Sequence, residues 1–311
     1  MPLSPRLRWK LDRFREQMSG LFGAQRPENA RPRLCPACGT LVGATATRCH
    51  QCGANMTFSM AAASRSLGVL LPTASPATYA ILTFSCVMYL WSFLWTVHLT
   101  GLQAPTGGGW SALMGLGGVD GRVLTFLGMS YPMPVDLLQP WRLVMAVFLH
   151  GSLLHIGFNM WVLMDIGPMI EELYGSARFV FIYVVTGIGG YLLSSAIARH
   201  PSMGGSGALL GLIGVMLALT IGRKSESMRM LRGQMVRWLI YIAIWGFVAS
   251  GIDNYAHLGG FATGFVLGKI MLDRAPVAPE ERKRAQILGW TSGLAVAISM
   301  AIMLSQFFLL R

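Results

Sequence analysis

The sequence predicts an all-α polytopic membrane protein with a small metal-binding module ahead of it. Three observations carry this. Hydrophobic residues make up 53% of the 311 residues and charged ones only 12%, whereas soluble domains carry roughly 25% charged residues. The deficit falls after residue 76, where apolar runs long enough to span lipid follow one another. Before it, two Cys-x-x-Cys pairs stand in a polar stretch.

The net charge of +12 invites a nucleic-acid reading. The basic residues, however, gather before the first apolar run and in connecting segments, as the positive-inside rule requires. No nucleic-acid partner is expected; the lipid bilayer is. No signal peptide is expected either, because the basic N-terminus is followed by no apolar run until Ala77.

Residues 1–33 form a basic arm. Leu7, Leu11, Phe14, Met18 and Phe22 give it a weak amphipathic pattern, which suits either an anionic membrane surface or a solvated tail. Residues 34–53 hold Cys35, Cys38, Cys49 and Cys52, with a glycine after each pair and ten residues between Cys38 and Cys49. Thiolates at this spacing can close a tetrahedral Zn²⁺ site, and Gly39 and Gly53 let the backbone turn beneath the sulfurs. Redox dithiols and unligated thiols are the other readings. Four sulfur ligands leave no open position, so such a zinc is structural and no cofactor is expected for catalysis. The two knuckles resemble the zinc-ribbon family, and the resemblance covers them alone. His50 is a bystander. Reduced thiols place the module in the cytoplasm, where a cytoplasmic protein partner is expected. Cys86, inside the first span, packs as a small apolar residue.

Residues 54–76 form a linker and 77–310 the membrane domain. Spans are expected at about 77–98, 143–166, 178–198, 206–222, 238–252, 255–272 and 287–310, with a turn at Glu171–Gly175, a basic loop at 223–237 and a charged linker at 276–284. With the N-terminus cytoplasmic, loops 99–140 and 199–205 lie outside. An integral, multi-pass protein of the cell's inner or plasma membrane is expected.

Two stretches carry the chemistry. Gly204-Gly205-Ser206-Gly207 opens the fourth span, and Ala256-His257-Leu258-Gly259-Gly260 opens the sixth. Ser206 at a helix start is either an N-cap or a nucleophile beside free backbone N–H groups. His257, Gly260, Gly264 and Gly268 share one helix face, and Gly207, Gly211, Gly214 and Ala218 form a matching stripe. Small-residue stripes let membrane helices touch backbone to backbone. That contact would bring His257 to Ser206 as a general base; a pure packing role is the alternative. On the second span, His155 and Asn159 share a face, either as oxyanion donors or as interhelical hydrogen bonds. His150 is expected about 140° round the same helix from His155, holding loop 99–140.

Taken together, these residues resemble the rhomboid family of intramembrane serine proteases. The match comprises Gly204 to Gly207, the set His150, His155 and Asn159, the set Ala256, His257, Gly260 and Gly264, and the pair Trp141-Arg142. It covers roughly residues 77–310. It implies a rhomboid-like six-helix core, here with one additional C-terminal transmembrane helix. It also implies a Ser206 nucleophile, a His257 base, no acidic third member, and oxyanion donors from the Ser206 N–H, His155 and Asn159. One departure is Leu210, where relatives often carry an aromatic residue. The expected function is a serine endopeptidase acting on single-span membrane proteins near the outer face. A catalytically inactive rhomboid-like binder or chaperone of transmembrane helices is the alternative. A transporter is disfavoured, because the only intramembrane carboxylates, Asp165 and Asp253, sit near span ends.

Overall fold

The computed structural model describes residues 33–34, 41–43, 46–48, 50–51, 75–101, 115–198, 200–248, 252–271 and 274–309. The chain divides into two compact units, Met1–Thr73 and Ala74–Arg311.

In the first unit, β1 (Arg33–Leu34) pairs antiparallel with β2 (Leu41–Val42), Arg33 opposite Val42 and Leu34 opposite Leu41. Val42 is buried and Leu41 exposed, the alternation that a pleated strand imposes. Cys35, Cys38, Cys49 and Cys52, the arm 1–32 and residues 52–74 of the linker lie outside the described residues.

The second unit is helical. In order come α1 (Pro76–Thr100), α2 (Gly121–Leu127), α3 (Val135–Leu138), α4 (Trp141–Met145), a 3₁₀ turn (Ala146–Phe148), α5 (Leu153–Tyr174), α6 (Ser176–Ile197), α7 (Ser206–Thr220), α8 (Glu226–Val248), α9 (Asn254–Ile270) and α10 (Pro279–Leu309). Among the described residues, α1, α5, α6 and Pro279–Gln306 of α10 are long and apolar enough to cross a membrane, and α7 is a shorter apolar helix.

Three expected boundaries move. The second span begins at Leu153, not residue 143, and runs to Tyr174. The Ser152 hydroxyl caps it by accepting from the His155 N–H, and residues 141–148 form separate short turns before it. His150 therefore lies off the helix that carries His155. The expected basic loop 223–237 is largely the start of α8, whose first turn carries Glu226 where the helix dipole favours an anion. The last helix starts at Pro279, with Glu280 and Glu281 in its first turn. Cys86 also differs from expectation: it is exposed on α1 and has no packing role inside the unit.

Glu171, expected in a turn, is buried in the last turn of α5. Its carboxylate accepts from the Ala77 N–H at 2.9 Å, the Thr78 N–H and hydroxyl at 2.7 Å, and the Ser176 hydroxyl at 2.6 Å. It thus satisfies the free N–H groups of α1, whose own Ser75 makes no side-chain cap. The aromatic residues of α5 and α8 form one cluster, with Trp161 5.2 Å from Trp238 and Phe158 6.0 Å from Trp245. Asp165 accepts from Trp238 Nε1 at 2.7 Å and Gln234 Nε2 at 3.0 Å across the same seam.

The centre of the unit is the crossing of α7 and α9. A Cβ on Gly260 or Gly264 would fall inside the carbonyl oxygen of Gly207 or Gly211, and one on Gly268 would lie 2.6 Å from the Val215 oxygen. α6 joins them through a third set of glycines: a Cβ on Gly190 would lie 2.6 Å from the Ala256 oxygen, and one on Gly259 2.7 Å from that of Gly189. Neither flank of these contacts can yield, because both are backbone. Gly264→Ala should therefore lower the stability of the purified protein by about 1–3 kcal/mol, the usual cost of overpacking, read from thermal unfolding in detergent. Gly293→Ala on α10, where nothing lies within 4 Å of the added Cβ, should leave it unchanged or slightly raised.

Candidate active site

Ser206 is the first residue of α7 and His257 stands in the first turn of α9. The glycine crossing brings the two starts together, and His257 Nε2 lies 2.8 Å from Ser206 Oγ. Both side chains are half-buried, so they are accessible from one side. For Nε2 to accept the serine proton, the imidazole must carry its own proton on Nδ1.

The loop leading into Ser206 is held from three sides. Gly204 has φ +128°, a conformation open to glycine. Its N–H donates to the Ala146 carbonyl at 2.9 Å. Its own carbonyl accepts from the Tyr191 hydroxyl at 2.7 Å. A Cβ here would lie 2.6 Å from His155 Nε2, so that nitrogen faces the serine loop. His155 Nδ1 accepts from the Gly151 N–H at 3.4 Å, which leaves the proton on Nε2, pointed at the loop. Asn159, one turn on, is buried. Its Nδ2 donates to the His155 carbonyl at 2.8 Å, which orients the carboxamide. Leu210 is buried in the apolar core.

Among the described residues, the His150 side chain makes no hydrogen bond to loop 99–140. Its Nδ1 donates to the Phe148 carbonyl at 3.3 Å, and its ring stands edge-on to His155 with centroids 5.0 Å apart. The backbone beside it does hold the loop: the Val119 N–H donates to the Gly151 carbonyl, and the Leu153 N–H to that of Leu116. Trp141 and Arg142 brace the same region. Arg142 donates from Nη1 to the Thr125 carbonyl at 2.7 Å and from Nε to Gln139 Oε1 at 2.6 Å, and its guanidinium lies 4.8 Å from the Trp141 ring centroid. Asp136 accepts from the Ser130 hydroxyl at 2.6 Å and the Tyr131 N–H at 2.9 Å. Burial pushes its carboxyl above the usual range, against the pull of those two donors and of the Arg142 charge. Ser130 in turn exchanges backbone hydrogen bonds with Ser202, four residues before the serine.

Three positioning residues escape a reading by motif. Asp253 caps α9, accepting from the Tyr255 and Ala256 N–H groups at 3.0 and 2.9 Å and from the Ser194 hydroxyl of α6. Tyr191 ties α6 to the serine loop. Tyr183 places its hydroxyl beside Gly205. The signal for Asp253 was present, since an Asp immediately before an apolar helix is an N-cap signature. Asp253→Ala should cost about 1 kcal/mol of stability as a lost cap, while Asp253→Asn, an equally good cap, should cost less; unfolding curves of both variants decide.

Residues 137–274 match the Rhomboid domain family. The chain is 35% identical over 125 residues to Rhomboid protease GluP of Bacillus subtilis (strain 168), covering 40% of this chain and 25% of that protein. It is 34% identical over 174 residues to RHOMBOID-like protein 4 of Arabidopsis thaliana, covering 52% and 44%. It is 32% identical over 188 residues to Rhomboid-like protease 1 of Toxoplasma gondii, covering 58% and 62%. The chain thus spans from a quarter to somewhat under two thirds of the length of these relatives. Residues 137–274 are thus similar to rhomboid domains, and among the described residues four helices are long and apolar enough to cross a membrane.

Proposed function

We propose that the protein is an intramembrane serine endopeptidase working by a Ser206–His257 dyad. The observation that carries this is the 2.8 Å contact between His257 Nε2 and Ser206 Oγ at the start of a helix. In this reading, Ser206 Oγ attacks the scissile carbonyl carbon while its proton passes to His257 Nε2. The oxyanion forms among the Ser206 N–H, the His155 Nε2–H and the Asn159 carboxamide, helped by the free N–H groups and dipole at the start of α7. Collapse of the intermediate expels the amine, which takes the proton from His257. Water then attacks the acyl-serine with His257 again as base, restoring the free hydroxyl. Relatives named as proteases support the same class. The inactive-binder alternative loses ground because both serine and histidine are present and in contact.

Ser206→Ala and His257→Ala should each abolish cleavage and labelling by a serine-reactive probe in detergent, without loss of fold. Asn159→Ala should retain some activity, slowed by about 10²–10³-fold. Cleavage by Ser206→Ala would overturn the mechanism.

The substrate class follows from where Ser206 lies. α7 has 15 residues, or about 22 Å at 1.5 Å per residue, against about 30 Å of hydrocarbon, so Ser206 sits below the membrane surface with water reaching it from that side. With the N-terminus in the cytoplasm, this side is the outer one. The substrates proposed are single-span proteins of the inner or plasma membrane. α6, α7 and α9 are joined by backbone contact, whereas α8 meets α5 through rings and the Asp165 hydrogen bonds. α8 and the segment before Trp141 are therefore the walls that part to admit a substrate. A substrate helix must unwind to expose its carbonyl, at several kcal/mol per unpaired backbone group in lipid, and Gly or Pro near the cut lowers that cost. Cleavage is expected after a small residue in the outer part of the span. Mass spectrometry of products from a series with Gly/Pro replaced by Leu should show falling cleavage; equal cleavage across the series would reject the account.

We also propose that Cys35, Cys38, Cys49 and Cys52 hold one structural Zn²⁺ and that this unit recruits a cytoplasmic protein. The pairing of Arg33–Leu34 with Leu41–Val42 supports it, since Cys35 and Cys38 stand in the sequence between the two paired strands. Elemental analysis of fresh full-length protein should find about one equivalent of zinc per chain, lost in Cys35→Ser while probe labelling of Ser206 persists.

A further inference from the structure

Beneath the serine loop, three oxygens from separate segments lie close around Gly205. A Cβ built on Gly205 would lie 2.8 Å from Tyr183 Oη, 3.5 Å from the Val147 carbonyl oxygen and 3.6 Å from Asn159 Oδ1. Tyr183 and Asn159 are buried, at 0% and 2% exposure. Among the described residues neither Tyr183 Oη nor Asn159 Oδ1 has a hydrogen-bond partner, and leaving such a group unpaired typically costs about 1–3 kcal/mol. The three oxygens come from three separate segments: α6, the 3₁₀ turn and α5. They offer one hydroxyl donor and two carbonyl-type acceptors. One molecule of water complements that set, accepting from the tyrosine hydroxyl and donating to Val147 and Asn159 oxygens, and buried waters typically make about three such bonds.

We propose that this site binds a single structural water that locks the Asn159 carboxamide from its oxygen side. The amide is planar, so fixing Oδ1 fixes the direction of both Nδ2 hydrogens. One is already spent on the His155 carbonyl at 2.8 Å; the other is then held ready for the oxyanion. Gly205 belongs to the site as well, because any side chain at that position would take the place of the water's partners. Tyr183 and Gly205 are thus positioning residues that act through Asn159.

The proposal has a structural and a kinetic test, and only the second rests on the peptidase reading. A crystal structure of the full chain, at a resolution that resolves ordered water, should show a peak bonded to Tyr183 Oη, Asn159 Oδ1 and the Val147 oxygen. A direct Tyr183–Asn159 hydrogen bond without the peak would overturn it. For the kinetic test, Tyr183→Phe should lower kcat by about tenfold, less than the 10²–10³-fold typical of a removed oxyanion donor, with KM little changed. An unchanged kcat would overturn it. Gly205→Ala alone meets the tyrosine hydroxyl and can misfold, so the decisive variant is the double Gly205→Ala/Tyr183→Phe, which has room for the methyl group. It should be at least as slow as Tyr183→Phe; recovery toward wild-type rate would mean that Gly205 is needed only for space, and would sink the proposal. If the wild type cleaves no peptide, the peptidase reading fails and the crystallographic result alone decides this one.

Discussion

The backbone contact between α7 and α9 is the constraint on which the rest depends. Ser206 and His257 lie 51 positions apart in sequence and each opens its own helix. Two helices carrying ordinary side chains pack with axes 8–10 Å apart. Here Gly207 and Gly211 meet Gly260 and Gly264 carbonyl to Cα, so the helix starts close to hydrogen-bond range without long side chains bridging them. Dispersion between surfaces this close replaces the hydrophobic driving force that lipid removes. The cost is that Gly260 and Gly264 tolerate no methyl group. Catalytic geometry and fold stability therefore depend on the same glycines.

Three carboxylates inside the unit show the second constraint, that lipid offers no water to unpaired groups. Glu171 takes up the N–H groups at the start of α1 and Asp253 those at the start of α9. Asp165 receives an indole and a carboxamide from α8. In each case the carboxylate joins elements distant in the chain, and its removal would strand donors as well as break a contact. Glu171 and Asp253 serve helix N-termini, where the backbone itself has donors left over, whereas Asp165, within α5, receives side-chain donors.

Much of this was legible in the sequence. The glycine spacing on two spans specified which faces meet, and Ser206 and His257 lie together where those stripes cross. The third stripe, Gly187, Gly189 and Gly190 on α6, carried the same signal in a Gly-x-Gly-Gly run. What could not be read locally follows a pattern. Residues 143–149 are uniformly apolar, and hydropathy cannot distinguish a short helix and a 3₁₀ turn from the first turns of a span; only Ser152, as the cap, marks the true start. Likewise the basic stretch before Trp238 reads as loop by charge, although Ser225 and Glu226 carry the signals of a helix start. Glu171 and Tyr191 have partners set by tertiary packing, and no local pattern identifies them.

The segment before the serine shows how the two constraints combine. A loop that enters lipid must satisfy its own backbone, and Ser202 and Gly204 do so with partners from elsewhere: Ser202 with Ser130, Gly204 with Ala146 and Tyr191. Ser130 is held by Asp136, and Arg142 pins the turn at Thr125 and Met129. Trp141 packs where Gly128 leaves room, a Cβ there lying 2.5 Å from its ring. The connection between α1 and α5 is therefore part of the scaffold that sets the Ser206 backbone. A change at Arg142 reaches the serine through a continuous run of hydrogen bonds while touching neither Ser206 nor His257. This gives the Trp141-Arg142 pair a physical role: it orders the one loop whose backbone the serine loop needs.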